Sequence, residues 1–279
     1  MARAVALTMV PMGVSLLVLV VAFYAAVATG YLEARRHREP SPTWARIAGP
    51  LSVAAHLLGL ILLSAATARS PFTTVSQSLS FLAFSLAALY LLLEATSRVA
   101  THGGGFYALA ALLAALSVPG LVQGEPMAWA DAPRSVPRSL HIGLSLMSTA
   151  AVLAGGLLAL GYLGAYARVK RHRLAGGAHG PSLDGFQRLL RRASLLGIVL
   201  LTPALVLGFR AYGSGAAAGK LPLLTAMIGA LLVLLIGAFI LWWRRPLRGP
   251  LAAWLNLLAV VVLVIGFGIV HPLVLRGGL

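Results

Sequence analysis

"RSLHIGLSLMSTAAVLAGGLLAL", residues 138–160, carries a single formal charge, Arg138, at its start, and a single histidine, His141, three residues later. Everything after His141 is apolar, small or hydroxylated. The stretch therefore meets the length of about 20 residues that an α-helix needs to cross a ~30 Å hydrocarbon core. A histidine at the mouth of such a segment is costly unless something uses it. The same arrangement recurs near the other end of the chain, where "IGFGIVHPL" (265–273) closes an apolar run on His271.

Outward from that segment, composition sets the class. The chain has 279 residues, of which 59% are hydrophobic and 10% charged, and its mean hydropathy is +0.92. A soluble domain carries roughly a quarter of its residues as charges, so this is a membrane protein. Cysteine is absent, which excludes disulfides, thiolate metal sites, iron–sulfur clusters and thiol catalysis on this chain. The formal charge of +16 would suggest nucleic acid in a soluble protein. Here the arginines lie between apolar runs and report topology, so no nucleic-acid partner is expected.

Eight apolar runs follow from the pattern, at about residues 10–31, 47–67, 76–96, 104–122, 139–166, 189–209, 221–243 and 250–272. Short gaps rich in Pro and Gly separate most of them, as in "EPSPTWARIAGP" (39–50). The expected fold is an all-α integral membrane bundle of about eight transmembrane helices forming one domain over residues 1–279. The first run resembles a signal sequence, with "AVA" at 26–28. Its length, and a basic cluster that follows it, read instead as a retained first helix.

Basic residues fall on alternate connections. Arg35, Arg36, Arg38 and Arg46 lie between runs one and two, Arg168 to Arg192 supply seven around the fifth connection, and Arg244, Arg245 and Arg248 follow run seven. The positive-inside rule puts both termini outside, in a multi-pass protein of a bacterial cytoplasmic (inner) membrane. His141 and His271 then share the outer level. His56, about ten residues into the second run, falls near the midplane.

Two imidazoles at one depth on different helices suit the axial positions of a haem iron. The plainer alternative is a pair of interfacial residues whose polar tips reach the headgroups. His56 is a mid-membrane ionisable group, too deep to share the outer iron, and hence a candidate for a second haem position, or else a neutral histidine bonded to a neighbour. Arg210, ending the sixth run, suits a haem propionate or a lipid phosphate. Glu94 has Arg98 four residues on as a simple partner. Gln77 and Asn256 read as interhelical hydrogen bonds, and "GGLLALG" (155–161) as small-residue helix packing. "WWRRPLRG" (242–249) reads as an interfacial aromatic belt with a basic stop. Pro203 is the one proline expected deep in a span. No paired acids, GxSxG or P-loop occurs, so hydrolytic chemistry has no support.

Four stretches, taken in order, resemble the cytochrome c-assembly (haem-handling) membrane proteins, including the HemX and CcsA types. "HLLGLILLSAATARSPFTTVSQSLSFLAFSLAALYLLLE" (56–94) resembles that family's early pair of helices around an outer turn. "RSLHIGLSLMSTAAVLAGGLLALGYL" (138–163) is similar to the helix that opens on the first external haem histidine. "LRRASLLGIVLLTPALVLG" (190–208) resembles the helix leading to the external loop, and "GPLAAWLNLLAVVVLVIGFGIVHPL" (249–273) the last helix, which ends on the second external histidine.

The family-like region spans about 47–273. Members that attach haem carry a Trp-rich external motif ending in Asp, where this chain has "GFRAYGSGAAAGKLP" (208–222), and a further transmembrane histidine, where it has "ILWWRRPLRG" (240–249). The resemblance thus implies a haem-binding accessory protein of cytochrome c maturation or haem synthesis, with haem b at His141 and His271. Its neighbours would be lipid and other assembly subunits. The alternative is a structural subunit of a membrane complex that kept the fold and lost haem. A transporter would want broken helices and midplane polar groups, of which only Pro203 and His56 are visible.

Overall fold

The computed structural model describes residues 2–37, 39–67, 72, 74–97, 103–123, 136–171, 183–212, 221–244 and 249–266. Eight helices make up these residues: α1 (Ala2–His37), α2 (Thr43–Thr67), α3 (Val75–Ser97), α4 (Gly103–Gln123), α5 (Val136–Lys170), α6 (Leu183–Tyr212), α7 (Leu221–Arg244) and α8 (Gly249–Ile265). Among the described residues there is no strand. Seven of the helices are long and apolar enough to cross a membrane, while α8 is a shorter apolar helix. The protein is an all-helical integral membrane protein.

Most helices outrun the apolar stretches that announce them. α1 continues through Arg35, Arg36 and His37, and α5 through Arg168 and Lys170. Cations at a helix C-terminus meet the negative end of the helix dipole, so charge ends the apolar run without ending the helix. Pro203 is not alone inside a helix: Pro11, Pro50 and Pro119 also lie within theirs, where neighbouring helices and local adjustment can satisfy the freed backbone groups. The start of α3 is set locally. Thr74 accepts a hydrogen bond from the Gln77 amide at 3.1 Å, the Thr-x-x-Gln arrangement of a capping box.

The chain divides into two compact units, residues 1–134 and 135–279. In the first, α1 packs on α2 and α4, and α3 on α4 and more lightly on α2. Leu17, Leu60 and Leu63 form an aliphatic cluster there, with Phe81 and Phe84 packed against it. In the second unit α5 packs mainly on α6 and also on α8, which in turn meets α7. Its core comprises Val152, Leu201, Leu231, Leu235, Ala259 and Leu263.

Lipid offers helices no hydrophobic reason to associate, so close backbone approach must do the work. Gly155 and Gly156 of α5 provide it. A Cβ at Gly155 would stand 2.9 Å from the Asn256 side-chain oxygen, and one at Gly156 2.6 Å from Val260, both on α8. The "GGLLALG" stretch is therefore a packing face. Large apolar side chains such as Leu51, Leu58, Ile61, Leu160, Val199 and Val233 point outward, as lipid-facing residues should.

Candidate functional site

The first unit holds an internal column of polar and aromatic side chains. His56, on α2, is fully buried. The Tyr24 hydroxyl of α1 lies 3.0 Å from its Nδ1, and the Ser80 hydroxyl of α3 lies 2.9 Å from its Nε2. A neutral imidazole has one N–H and one lone pair, while a hydroxyl can serve either as donor or acceptor. Either tautomer is therefore satisfied, and both ring nitrogens face protein hydroxyls. Phe84 meets the ring edge-on at 5.9 Å.

Four tyrosines extend the column along the helices. Tyr107 of α4 is their hub. Its ring lies 5.7 Å from Tyr24, stacks on Tyr31 at 6.0 Å, and meets Tyr90 edge-on at 5.5 Å. The Tyr31 hydroxyl donates to Glu94, 3.2 Å from Oε1 and 3.5 Å from Oε2. Arg46 of α2 lies close enough to act on that carboxylate electrostatically. The expected partner Arg98 falls outside the described residues, and Tyr31 is the contact that the sequence did not suggest.

The Tyr107 hydroxyl itself is buried without a hydrogen-bond partner among the described residues. It is seated against the backbone of Gly49, where a Cβ would overlap it.

The tyrosines escaped the reading of the sequence because single aromatics in apolar runs look like core. A signal existed nonetheless. Tyr24 and Tyr31 stand seven residues apart, two turns on one face of α1, and Tyr24 lies well inside that helix, away from the ends where an aromatic belt would put it.

In the second unit His141 lies in the first turns of α5, partly buried. Its Nδ1 is 2.6 Å from the backbone carbonyl of Ala204 on α6. A carbonyl only accepts, so Nδ1 carries the proton and donates, and the basic lone pair belongs to Nε2. Gly208 makes the approach feasible. A Cβ there would stand 2.7 Å from His141 Cε1 and 2.9 Å from Nδ1. Arg210, two residues beyond Gly208, is exposed. His271 lies outside the described residues, so its relation to His141 remains an expectation from sequence.

Other expected features resolve individually. Asn256 accepts from the Ser194 hydroxyl at 3.1 Å and donates to the Ala252 carbonyl at 2.9 Å, an interhelical bond as anticipated. The tryptophan pair divides. Trp243 faces outward with Arg191 over its ring at 5.0 Å, whereas Trp242 turns inward onto Tyr162 at 5.3 Å. Adjacent helical residues point about 100° apart, so a two-residue belt cannot face lipid with both rings.

Fold and interior together define a polytopic helical membrane protein with a buried histidine in the first unit and a half-buried one in the second. The family model for the cytochrome C assembly protein matches residues 44–273, and the chain belongs to that family. Membership supports a role in cytochrome c maturation. No curated protein and no solved structure matches the chain.

Proposed function

We propose that this protein is a haem-handling accessory subunit of cytochrome c maturation or haem synthesis. It lies in a bacterial cytoplasmic membrane as one functional domain with both termini outside, and binds b-type haem at the outer face. His141 and His271 would hold the iron, and Arg210 a propionate. Haem is the cargo here, and the chain's own task is to hold it and shield it.

One observation carries the reading: the Nδ1–H of His141 is donated to the Ala204 carbonyl. An imidazole that ligates a metal characteristically gives its other N–H to such an acceptor, which orients the ring and raises its basicity. The half-buried position at a helix end fits a ligand taken up from the membrane surface. His56 enters the proposal differently, since Tyr24 and Ser80 occupy both its nitrogens. A haem there would have to displace one of them.

The test is a reduced-minus-oxidised spectrum of the detergent-purified protein with haem quantitation. Near-stoichiometric, low-spin b-type haem that is lost in His141→Ala and His271→Ala but kept in His56→Ala is the expected result. A colourless protein that takes up no added haem would overturn the proposal in favour of a structural subunit. Access of a cysteine placed at Ser214 to an impermeant reagent from the outer side tests the orientation; labelling from the inner side alone reverses it.

A further inference from the structure

The column in the first unit does more than join helices. Interhelical hydrogen bonds in a membrane can be made from serine and asparagine, as Ser194 and Asn256 do in the second unit. The first unit instead buries a histidine, four tyrosines and a half-buried glutamate, groups that each exchange protons. Ionisable groups inside a membrane segment mark ion paths and proton relays.

Its extent is that of a membrane. On α3 the buried Ser76 and the half-buried Glu94 are 18 positions apart in the sequence, about 27 Å of helix at 1.5 Å per residue. The hydrocarbon core is about 30 Å thick. Between them the order is Ser80, His56, Tyr24, Tyr107, Tyr31 and Glu94, with Tyr90 against Tyr31 and Tyr107. Ser76 stands one turn before Ser80 on the same face of α3 and is buried with it.

We infer that the first unit contains a proton path through this column, running between Glu94 and the Ser76 end of α3. Hydroxyl and imidazole each accept a proton at one lone pair while releasing another. At His56 the incoming proton forms an N–H bond at one ring nitrogen as the N–H bond at the other breaks toward the facing hydroxyl. One proton moves, no electron is transferred, and no co-reactant is needed. Tyr107 is the junction. Its ring lies against those of Tyr24 at 5.7 Å and Tyr31 at 6.0 Å, and its hydroxyl is buried without a hydrogen-bond partner among the described residues. The path requires water at that hydroxyl to join the Tyr24–His56–Ser80 group to the Tyr31–Glu94 group.

This inference does not depend on haem. The full-length protein is reconstituted into liposomes loaded with a pH-sensitive dye, and a potassium diffusion potential is imposed with valinomycin. Wild-type liposomes are expected to acidify several-fold faster than those carrying Tyr107→Phe or Glu94→Gln at equal protein density. Tyr107→Phe removes one oxygen and keeps the ring packing, so it remains informative even if Glu94→Gln fails to fold. Equal rates for wild type and Tyr107→Phe would overturn the path, as would a wild type no faster than protein-free liposomes.

Discussion

The two units solve the same packing problem with different chemistry. In the first, α1 to α4 close around His56, Tyr24, Tyr31, Tyr90, Tyr107 and Glu94. In the second, α5 to α8 close around alanine, glycine and leucine, and polar side chains there mostly reach for backbone carbonyls. Ser148 donates to the Gly197 carbonyl at 3.2 Å, His141 to that of Ala204, and Asn256 to that of Ala252. A side chain bonded to backbone tolerates change at its partner's position, because every residue but the proline N–H supplies the same groups. A side chain bonded to another side chain does not. The difference teaches that the first unit is the chemically specified one, and that substitutions there must be made in compensating pairs.

The largest effect should come from His56→Leu. It strands the Tyr24 and Ser80 hydroxyls in a dry interior at about 1–3 kcal/mol each, and thermal unfolding in detergent should register the loss. A change within error would remove the contrast between the units. Next comes Gly49→Ala, whose Cβ collides with the Tyr107 hydroxyl and should cost about 1–3 kcal/mol by overpacking. Pairing it with Tyr107→Phe deletes the colliding oxygen, so stability should largely return. Failure of that rescue would place the strain elsewhere.

In the second unit, Gly208→Ala should push the His141 ring away from the Ala204 carbonyl at a similar or smaller cost. Reduced melting temperature together with altered haem uptake is the expected pair of readouts, and unchanged values in both would deny Gly208 its seating role. Ser194→Ala should be the mildest, about 0.6 kcal/mol, because Asn256 keeps its bond to Ala252. A larger loss, seen in the same unfolding assay, would make the second unit as dependent on side-chain pairing as the first.

Much of the fold could be read from the sequence because a bilayer imposes a length on apolar runs. The eight runs correspond to α1 to α8, the eighth as far as Ile265, the rest of its expected span lying outside the described residues. Their ends were less legible, since Arg35 to His37 and Arg168 to Lys170 stop the hydropathy signal while continuing the helix. His56 was legible as a buried ionisable group, but its partners were not. Nothing local to Tyr24 or Ser80 announces that α1 and α3 flank α2 at that depth. The partner of Glu94 was sought within one helix, at Arg98, and the observed donor Tyr31 comes from α1. Contacts across helices depend on rotation and offset, which periodicity in one helix does not contain. The carbonyl of Ala204 was invisible for the same reason, being backbone.

One pairing occurs in both units. Tyr107 is seated on Gly49 in the first, and Tyr162 on Gly249 in the second. Each works as a gauge of depth and rotation together: moving either helix one residue along its own screw, about 1.5 Å of rise with about 100° of turn, would bring a neighbouring residue's Cβ under the hydroxyl. In both cases the two halves of the gauge come from helices that are not consecutive in the chain, α2 with α4 and α5 with α8. As the protein emerges from the ribosome, α1 already meets α2 closely, with Gly59 against Leu17, so the Tyr107 gauge adds a second check on the offset of α2 only once α4 has entered the membrane. For α5, already bonded to α6 through His141 and Ser148, the corresponding check comes with α8.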